Sequence, residues 1–367
     1  MRTLDGGSAW LVTRHEDVRK IMSDPRMSAD RHNPGLPPLM RGQRKLTSRV
    51  PKTMTGMDAP EHTRARQAVL PEFTAKRVNR LKPRIQQIVD ECLATMLDVG
   101  PPVDIVETLA LPLPSRVSCE MLGVPYAEHH YFEERISRLS SQRTPDEERT
   151  KAHVELQDFV ADLVRQKEKN PTDDLLGRQI IRQRVEEGRD DHEAIVALAF
   201  LLVLAANETT AGAIALGVLA FLQHPGQLAA IRHEPGLIPG AVNEVFRYFT
   251  IGDVVTSRVA TEDVRLGDVV IRAGEGVLLS FYAANRDPDA YDHPDEFDIW
   301  RDARHHLTFG FGPHMCLGIT LARIELAIVF ETLFRRIPDL RLATPLADIP
   351  FKEDATIYGI HELRVTW

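Results

Sequence analysis

The sequence has few cysteines, and they are not arranged in pairs. Its 367 residues contain three, Cys92, Cys119 and Cys316, with no paired spacing. Stable disulfides need paired cysteines and an oxidising compartment, so we expect a reducing compartment and no disulfide framework. The absence of a Cys-x-x-Cys pair also disfavours a structural zinc site.

The sequence also lacks a signal peptide and a long apolar run. Residues Met1–Gly7 contain no apolar core of the kind that a signal peptide needs. The longest apolar run, Ala194–Ala206, has 13 residues, which is too short to span a bilayer. We therefore expect a soluble, cytoplasmic protein with no membrane partner.

Positive charge is in the minority. The net charge of −8 argues against a general nucleic-acid binder. Between Arg64 and Arg84 the balance inverts, because seven Lys or Arg residues stand against one acid, Glu72. Such a stretch is either an ordinary solvated face or a surface that docks an acidic partner.

No repeat, low-complexity segment or linker divides the chain, so we predict one domain over residues 1–367. Residues 127–187 alternate polar and apolar positions at a helical period, which predicts amphipathic helices. Short β segments separated by turn residues follow at 254–280. The predicted fold class is mainly α with small β-sheets.

A long apolar helix is predicted to begin near a capping box, Asp190-x-x-Glu193, and to end at His224-Pro225. Its flanks are apolar, yet it contains Glu208 and Thr209. A buried carboxylate costs several kcal/mol unless it is paired or has a chemical task. Both explanations stay open for Glu208 from the sequence alone.

The segment Phe309–Gly318 crowds three glycines, a proline and two aromatics around Cys316, and an apolar helical stretch follows. Gly310 and Gly312 permit backbone conformations that a side chain would forbid. A cysteine at a helix N-terminus is favoured as a thiolate, which is a metal ligand or a nucleophile. The alternatives are a buried structural cysteine, or a zinc site built from His305, His306, His314 and Cys316.

The spacing F-x-x-G-x-H-x-C-x-G at 309–318 resembles the haem-binding loop of the cytochrome P-450 superfamily. Three more stretches match that superfamily in the same order: Glu208-Thr209, Glu244-x-x-Arg247 and Asn285-Arg286-Asp287-Pro288. The sequence is most similar to the soluble actinomycete branch of the superfamily, which oxidises natural products and drugs. The resemblance implies the cytochrome P-450 fold, with the long central helix over a haem.

The implied cofactor is haem b (iron protoporphyrin IX), with Cys316 as the proximal iron ligand. Amide groups of Leu317, Gly318 and Ile319 would stabilise the sulfur, and Phe309 would shield it. Glu208 would relay protons, and Thr209 would hydrogen-bond dioxygen. The haem propionates would be held by His62, Arg66, Arg258 and His314. The full set of implied haem-binding residues is His62, Arg66, Ala205, Arg258, Thr308, Phe309, Gly310, His314, Cys316, Leu317 and Gly318.

The resemblance implies a monooxygenase that inserts one oxygen atom of O2 into a hydrophobic natural product, steroid-like or xenobiotic compound, by hydroxylation or epoxidation. The chain has no flavin or iron–sulfur motif, so electrons would come from ferredoxin and ferredoxin reductase, with NAD(P)H as the source. A monomer is expected. We expect the substrate to be lined by residues 34–53, Leu201–Ala205, Val254–Val255 and Ile357–Ile360.

Two other functions were weighed. An NADH-dependent haem-thiolate nitric oxide reductase has similar phrasing, but that family carries a small residue where this chain has Glu208. A haem-binding sensor would need an output segment, and none is found.

The sequence departs from the superfamily at two points. Ala206 stands where a glycine is usual, which leaves the depth of the oxygen groove open. Members usually carry some tens of residues, including a helix, before the strand at Ala9, so we expect that the N-terminal helix is either missing or not included. The Glu244–Arg247 pair also needs a third partner, for which Arg301 is the first choice and Arg286 the second.

Overall fold

A computed structural model describes residues 1–3, 6–39, 52–140, 144–252, 256–352 and 357–367. The contacts divide the chain into two compact units. Unit 1 comprises Met1–Leu70 with Asn243–Ile319, and unit 2 comprises Pro71–Val242 with Thr320–Trp367. Each unit is described by itself, and the single domain stays a prediction.

Unit 1 is built on a small twisted sheet. Its strand order is Ala9–Val12, Gly276–Leu279, Thr256–Ala260 and Met27–Ser28; the first pair is parallel and the others are antiparallel. A separate hairpin pairs Val264–Leu266 with Val269–Ile271. The helices that lie within this unit are His15–Ser23, Glu61–Val69 and Phe281–Ala284.

The apolar core of unit 1 lies between the sheet and the helix His15–Ser23. Val18 and Ile21 of that helix pack with Leu279 and Phe281, and all four are almost completely buried. A residue far along the chain binds a free amide at the start of this helix: the His15 amide donates to the Asp287 carboxylate at 2.8 Å.

Unit 2 is mostly helical. It contains one three-stranded antiparallel sheet, in the order Val103–Asp104, Arg364–Thr366 and Arg341–Leu342. Its helices are Ala75–Asn79, Lys82–Val99, Pro112–Leu122, His129–Ser140, Asp146–Lys169, Leu175–Arg182, His192–Gln223 and Pro225–His233. Two further helices cross the unit boundaries: Ile238–Phe249 and Ile319–Arg336.

The long helix, His192–Gln223, has 32 residues. The predicted capping box is wrong by one residue, because Asp191 caps the helix by accepting the Ala194 amide at 3.1 Å, while Asp190 pairs with Arg184. By length and composition alone this helix could cross a membrane, a test that the core helix of a soluble protein also passes.

Burial along the long helix is uneven. From Thr210 to Phe221 every residue except Gly212 is buried, whereas the N-terminal half buries one stripe, including Ile195, Ala199 and Val203. Leu204, on another face, is 42% exposed. The N-terminal half of the long helix therefore presents an open apolar face.

Candidate functional site

The cysteine loop, Phe309–Gly318, is closed by its own backbone. The Cys316 amide donates to the Phe309 carbonyl at 2.8 Å, and the Gly310 amide donates to the Leu307 carbonyl at 2.7 Å. Gly310 and Gly312 have φ of +72° and +70°, which side chains rarely adopt. A Cβ on Gly312 would also lie 2.9 Å from the Met22 carbonyl oxygen, so the loop packs tightly on the helix His15–Ser23.

Cys316 lies three residues before the helix that begins at Ile319. Burial raises the pKa of its thiol, while hydrogen bonds from the Gly318 and Ile319 amides and the charge of Arg66 act in the opposite direction. Cys316 is nonetheless an exposed residue. Two of the three predicted amide donors are therefore present, and the arrangement suits a thiolate that ligates a metal.

Two histidines and two arginines gather beside the loop within unit 1. The rings of His62 and His314 stack with centroids 3.9 Å apart. Arg66 joins the group by donating to the Met315 carbonyl at 2.6 Å. His62 and Arg66, which are four residues apart in the sequence, thus both contact the cysteine loop.

The two arginines bring positive charge to the cluster, and the charge of Asp58 acts on His62 and Arg258 without forming an ion pair with either. Among the described residues, none of His62, Arg66, Arg258 and His314 forms an ion pair with a carboxylate, and Arg258 donates only to the neighbouring Ser257 carbonyl at 2.8 Å. Burial, followed by the neighbouring positive charges, lowers the pKa of His314 to about 3, and burial lowers the pKa of Arg258 to about 10. The two carboxylates of a haem would supply the missing charge, so the residues fit that group.

Asn285 connects the residues just before the cysteine loop to the end of the helix Ile238–Phe249, and the sequence did not predict this role of Asn285. Its amide nitrogen donates to the hydroxyls of Thr250 and Thr308, and its side-chain oxygen accepts the Leu307 amide at 2.7 Å. Thr308 in turn donates to the Phe246 carbonyl at 2.7 Å. The Thr308 hydroxyl therefore anchors the loop; its predicted contact with a cofactor stays untested, as does the shielding by Phe309.

The Glu244–Arg247 pair is completely buried, and Arg247 Nε lies 2.7 Å from Glu244 Oε2. Its third partner is Arg301, as predicted, whose Nε lies 3.4 Å from Glu244 Oε1. Arg286, the second choice, instead pairs with Asp295 at 3.3 Å. Arg247 also donates to three backbone carbonyls of the segment before the loop, those of Asn285, Pro294 and Glu296.

The remaining predicted residues lie in unit 2, on the long helix. The Thr209 hydroxyl donates to the Ala205 carbonyl at 2.7 Å, one turn back, and Ala205 is exposed. Glu208 has a partner that the sequence did not predict, because Lys352 Nζ lies 3.2 Å from Glu208 Oε1. Burial raises the pKa of Glu208, and Lys352 acts against that increase. No sequence motif marks Lys352.

The zinc alternative is not supported. Within the described ranges, no group of three or more His, Cys, Asp or Glu side chains is placed to hold a metal ion. His305 stacks on Tyr291 and His306 on Phe246 instead. Of the expected substrate lining, residues 40–51 and Val254–Val255 lie outside the described residues.

Comparison with known proteins gives the family. The family model for Cytochrome P450 matches residues 130–338. Cytochrome P450-SU2 from Streptomyces griseolus is 46% identical over 99% of this chain and 89% of its own length. Vitamin D3 dihydroxylase, also from Streptomyces griseolus, is 41% identical over the same shares of the two chains.

The fold comparison agrees with the sequence comparison. The crystal structure of cytochrome P450 MoxA from Nonomuraea recticatena matches with a TM-score of 0.96 and 52% identity, covering 99% of this chain and 91% of that one. The predicted fold is thereby confirmed, and membership implies a haem-thiolate cofactor. The chain belongs to the cytochrome P450 family and is a monooxygenase of that family.

Proposed function

We propose that this monooxygenase carries haem b and transfers one oxygen atom of O2 to a hydrophobic small molecule by hydroxylation or epoxidation. The observation that supports this most strongly is the pairing of Cys316, whose sulfur receives two amide hydrogen bonds, with a cluster of two arginines and two histidines that forms no ion pair with a carboxylate of the described residues. A single group that brings both an iron and two carboxylates satisfies both features.

In this proposal Cys316 ligates the iron, and His62, Arg66, Arg258 and His314 hold the propionates by charge-assisted hydrogen bonds. When bound, the haem supplies oxygen activation and one-electron chemistry. The Gly318 and Ile319 amides would stabilise negative charge on the sulfur, because their hydrogen bonds lower the pKa of the Cys316 thiol against the effect of burial.

Glu208 and Thr209 are proposed to deliver protons. Thr209 donates to Ala205, so its oxygen keeps lone pairs that can accept a further hydrogen bond. Glu208 is half-buried, and its carboxylate can exchange protons with solvent on one side. The open face of the N-terminal half of the long helix is apolar and suits a hydrophobic substrate.

Electrons are proposed to come from ferredoxin and its reductase, with NAD(P)H as the source, because bacterial members of the family generally use these partners. Within the basic stretch, Arg77 is engaged with Glu72 at 3.1 Å. The exposed charges that remain in unit 2 for an acidic ferredoxin are Lys76, Arg80 and Lys82. We further propose a monomer in the cytoplasm.

The substrate class is proposed from the apolar face of the long helix and from the relative named for dihydroxylation of vitamin D3. A panel of steroid-like, terpenoid, macrolide and aromatic compounds should be incubated with the holoenzyme, ferredoxin, reductase and NADPH under isotopically labelled dioxygen. We expect at least one product that has gained one labelled oxygen atom.

The nitric oxide reductase is not favoured. It would be indicated by rapid oxidation of NADH by nitric oxide without ferredoxin, together with no labelled product across the panel. The presence of Glu208 before Thr209 predicts the opposite result.

A further inference from the structure

An ion pair links the long helix to the C-terminal segment of unit 2. Lys352 Nζ lies 3.2 Å from Glu208 Oε1, and the two side chains are 10% and 24% exposed. A lysine side chain this deeply buried loses much of its hydration, and a neighbouring carboxylate offsets part of that cost. Glu208 provides that carboxylate, which makes the contact more than an ordinary surface ion pair.

Lys352 is held in place by its backbone. Its amide donates to the Gly359 carbonyl at 2.9 Å, and an isolated antiparallel bridge pairs Phe351 with Ile360. A Cβ on Gly359 would lie 3.6 Å from both Lys352 Cδ and Gly212 Cα. Gly359 therefore lies in van der Waals range of both the long helix and the Lys352 side chain.

Two opposing influences act on the Glu208 carboxyl. Burial, the larger, raises its pKa, and the charge and hydrogen bond of Lys352 lower it, with a smaller contribution from the charge of Arg149. In the described part of the chain two cations act on Glu208. Lys352 belongs to the C-terminal segment of unit 2, and Arg149 belongs to the helix Asp146–Lys169. A carboxyl that relays protons must accept and release them at the working pH. Burial alone would favour the protonated form of Glu208, and the charge of Lys352 alone would favour the ionised form.

We infer that Lys352 is a positioning residue that holds the Glu208 carboxylate in its ionised form, ready to accept a proton from solvent and pass it toward the oxygen being reduced. The inference rests on the proposed function for the role of that proton. The proton comes from water and leaves to the oxygen substrate, so Glu208 and Lys352 are unchanged after each cycle.

The test is an infrared titration of the carboxyl groups in the folded holoenzyme. Glu208→Gln removes the Glu208 carbonyl band and so assigns it. In Lys352→Met the band should titrate about one pH unit or more higher than in the wild type, which is about tenfold in proton affinity. Lys352→Arg should restore most of the wild-type midpoint, and Arg149→Gln should move the midpoint less than Lys352→Met does.

The same midpoint in Lys352→Met and the wild type would overturn the inference. If Lys352→Met does not fold, a wild-type-like midpoint in Lys352→Gln would overturn it equally. The titration requires no turnover, so a folded protein that oxidises no substrate still gives an answer. The failure of the proposed function is therefore distinguishable from the failure of the role of Lys352.

Discussion

At the scale of single residues, the most informative feature is a set of charges without partners. Most arginines in the described ranges meet a carboxylate or a carbonyl, and Arg258 has only its neighbour's carbonyl although it is buried. A buried cation of this kind destabilises a protein unless a ligand compensates it. The family resemblance identified Arg258 and His62 from the sequence, but only the structure shows that neither forms an ion pair with a carboxylate of the described residues.

Arg258→Leu should therefore have opposite effects on the two forms of the protein. We expect the haem-free protein to gain thermal stability, because a buried charge is removed, and the affinity for haem to fall about tenfold or more. Thermal unfolding with and without added haemin measures both effects. Arg272→Leu, which removes an exposed arginine paired with Asp263, is the control and should leave haem affinity unchanged. Equal haem affinity in Arg258→Leu and the wild type would contradict the propionate assignment.

Gly312 offers a second test at this scale. Its φ of +70° and the Met22 oxygen 2.9 Å from a Cβ predict both backbone strain and a clash in Gly312→Ala. Gly267 has φ of +59° with nothing within 4 Å, so Gly267→Ala should cost only the strain, about 1 kcal/mol. Urea unfolding should show a clearly larger loss for Gly312→Ala; equal losses would mean that the cysteine loop does not pack on Met22.

At the scale of elements, local patterns were predictive and distant contacts were not. The hairpin Val264–Leu266 with Val269–Ile271 lies at the predicted residues, because alternation and turn residues are local signals. The start of the helix at His15 depends on Asp287, 272 residues away, and the partner of Glu208 is 144 residues away. Such pairs are set by the packing of the whole unit, so no single-sequence pattern could indicate them.

The helix Ile319–Arg336 contains a buried carboxyl that the chemistry does not use. Burial raises the pKa of Glu325 to about 8, and among the residues that the structure describes its Oε2 has no hydrogen-bond partner. Between the ordinary glutamate pKa and about 8, the unfolded chain releases a proton that the folded protein keeps, so stability falls as pH rises.

Glu325→Gln should remove this dependence. Its free energy of unfolding should rise relative to the wild type by up to about 1.4 kcal/mol per pH unit through that window. Urea unfolding at an acidic and a neutral pH inside the window measures the change. Glu331→Gln, an exposed position on the same helix, is the matched control. A pH-independent difference for Glu325→Gln would show that the carboxyl is ionised in the folded protein.

At the scale of the whole molecule, the sequence indicated the family correctly because four motifs occur in order across the chain. It could not indicate how the charges are used. Within the basic stretch, Glu72 is shared by Arg77 and Arg178, and Arg84 pairs with Glu120, so only part of the predicted surface is available to a partner.

Ferredoxin docking can be tested on the charges that remain. In a protein of net charge −8, Lys76→Glu combined with Arg80→Glu should lower the rate of reduction by ferredoxin several-fold at low salt. The variant should also lose most of the salt dependence of that rate. Arg265→Glu, an exposed charge outside the stretch, is the control for net charge. An unchanged rate would place the docking surface elsewhere.

The central claim is that Cys316 is the thiolate ligand of a haem. The most direct measurement is the absorption spectrum of the purified, reduced protein after exposure to carbon monoxide. We predict the red-shifted Soret band of thiolate ligation in the wild type and in Cys92→Ser, and its loss in Cys316→Ser. A wild-type protein that binds no haem, or that gives the band of a neutral axial ligand, would contradict the account.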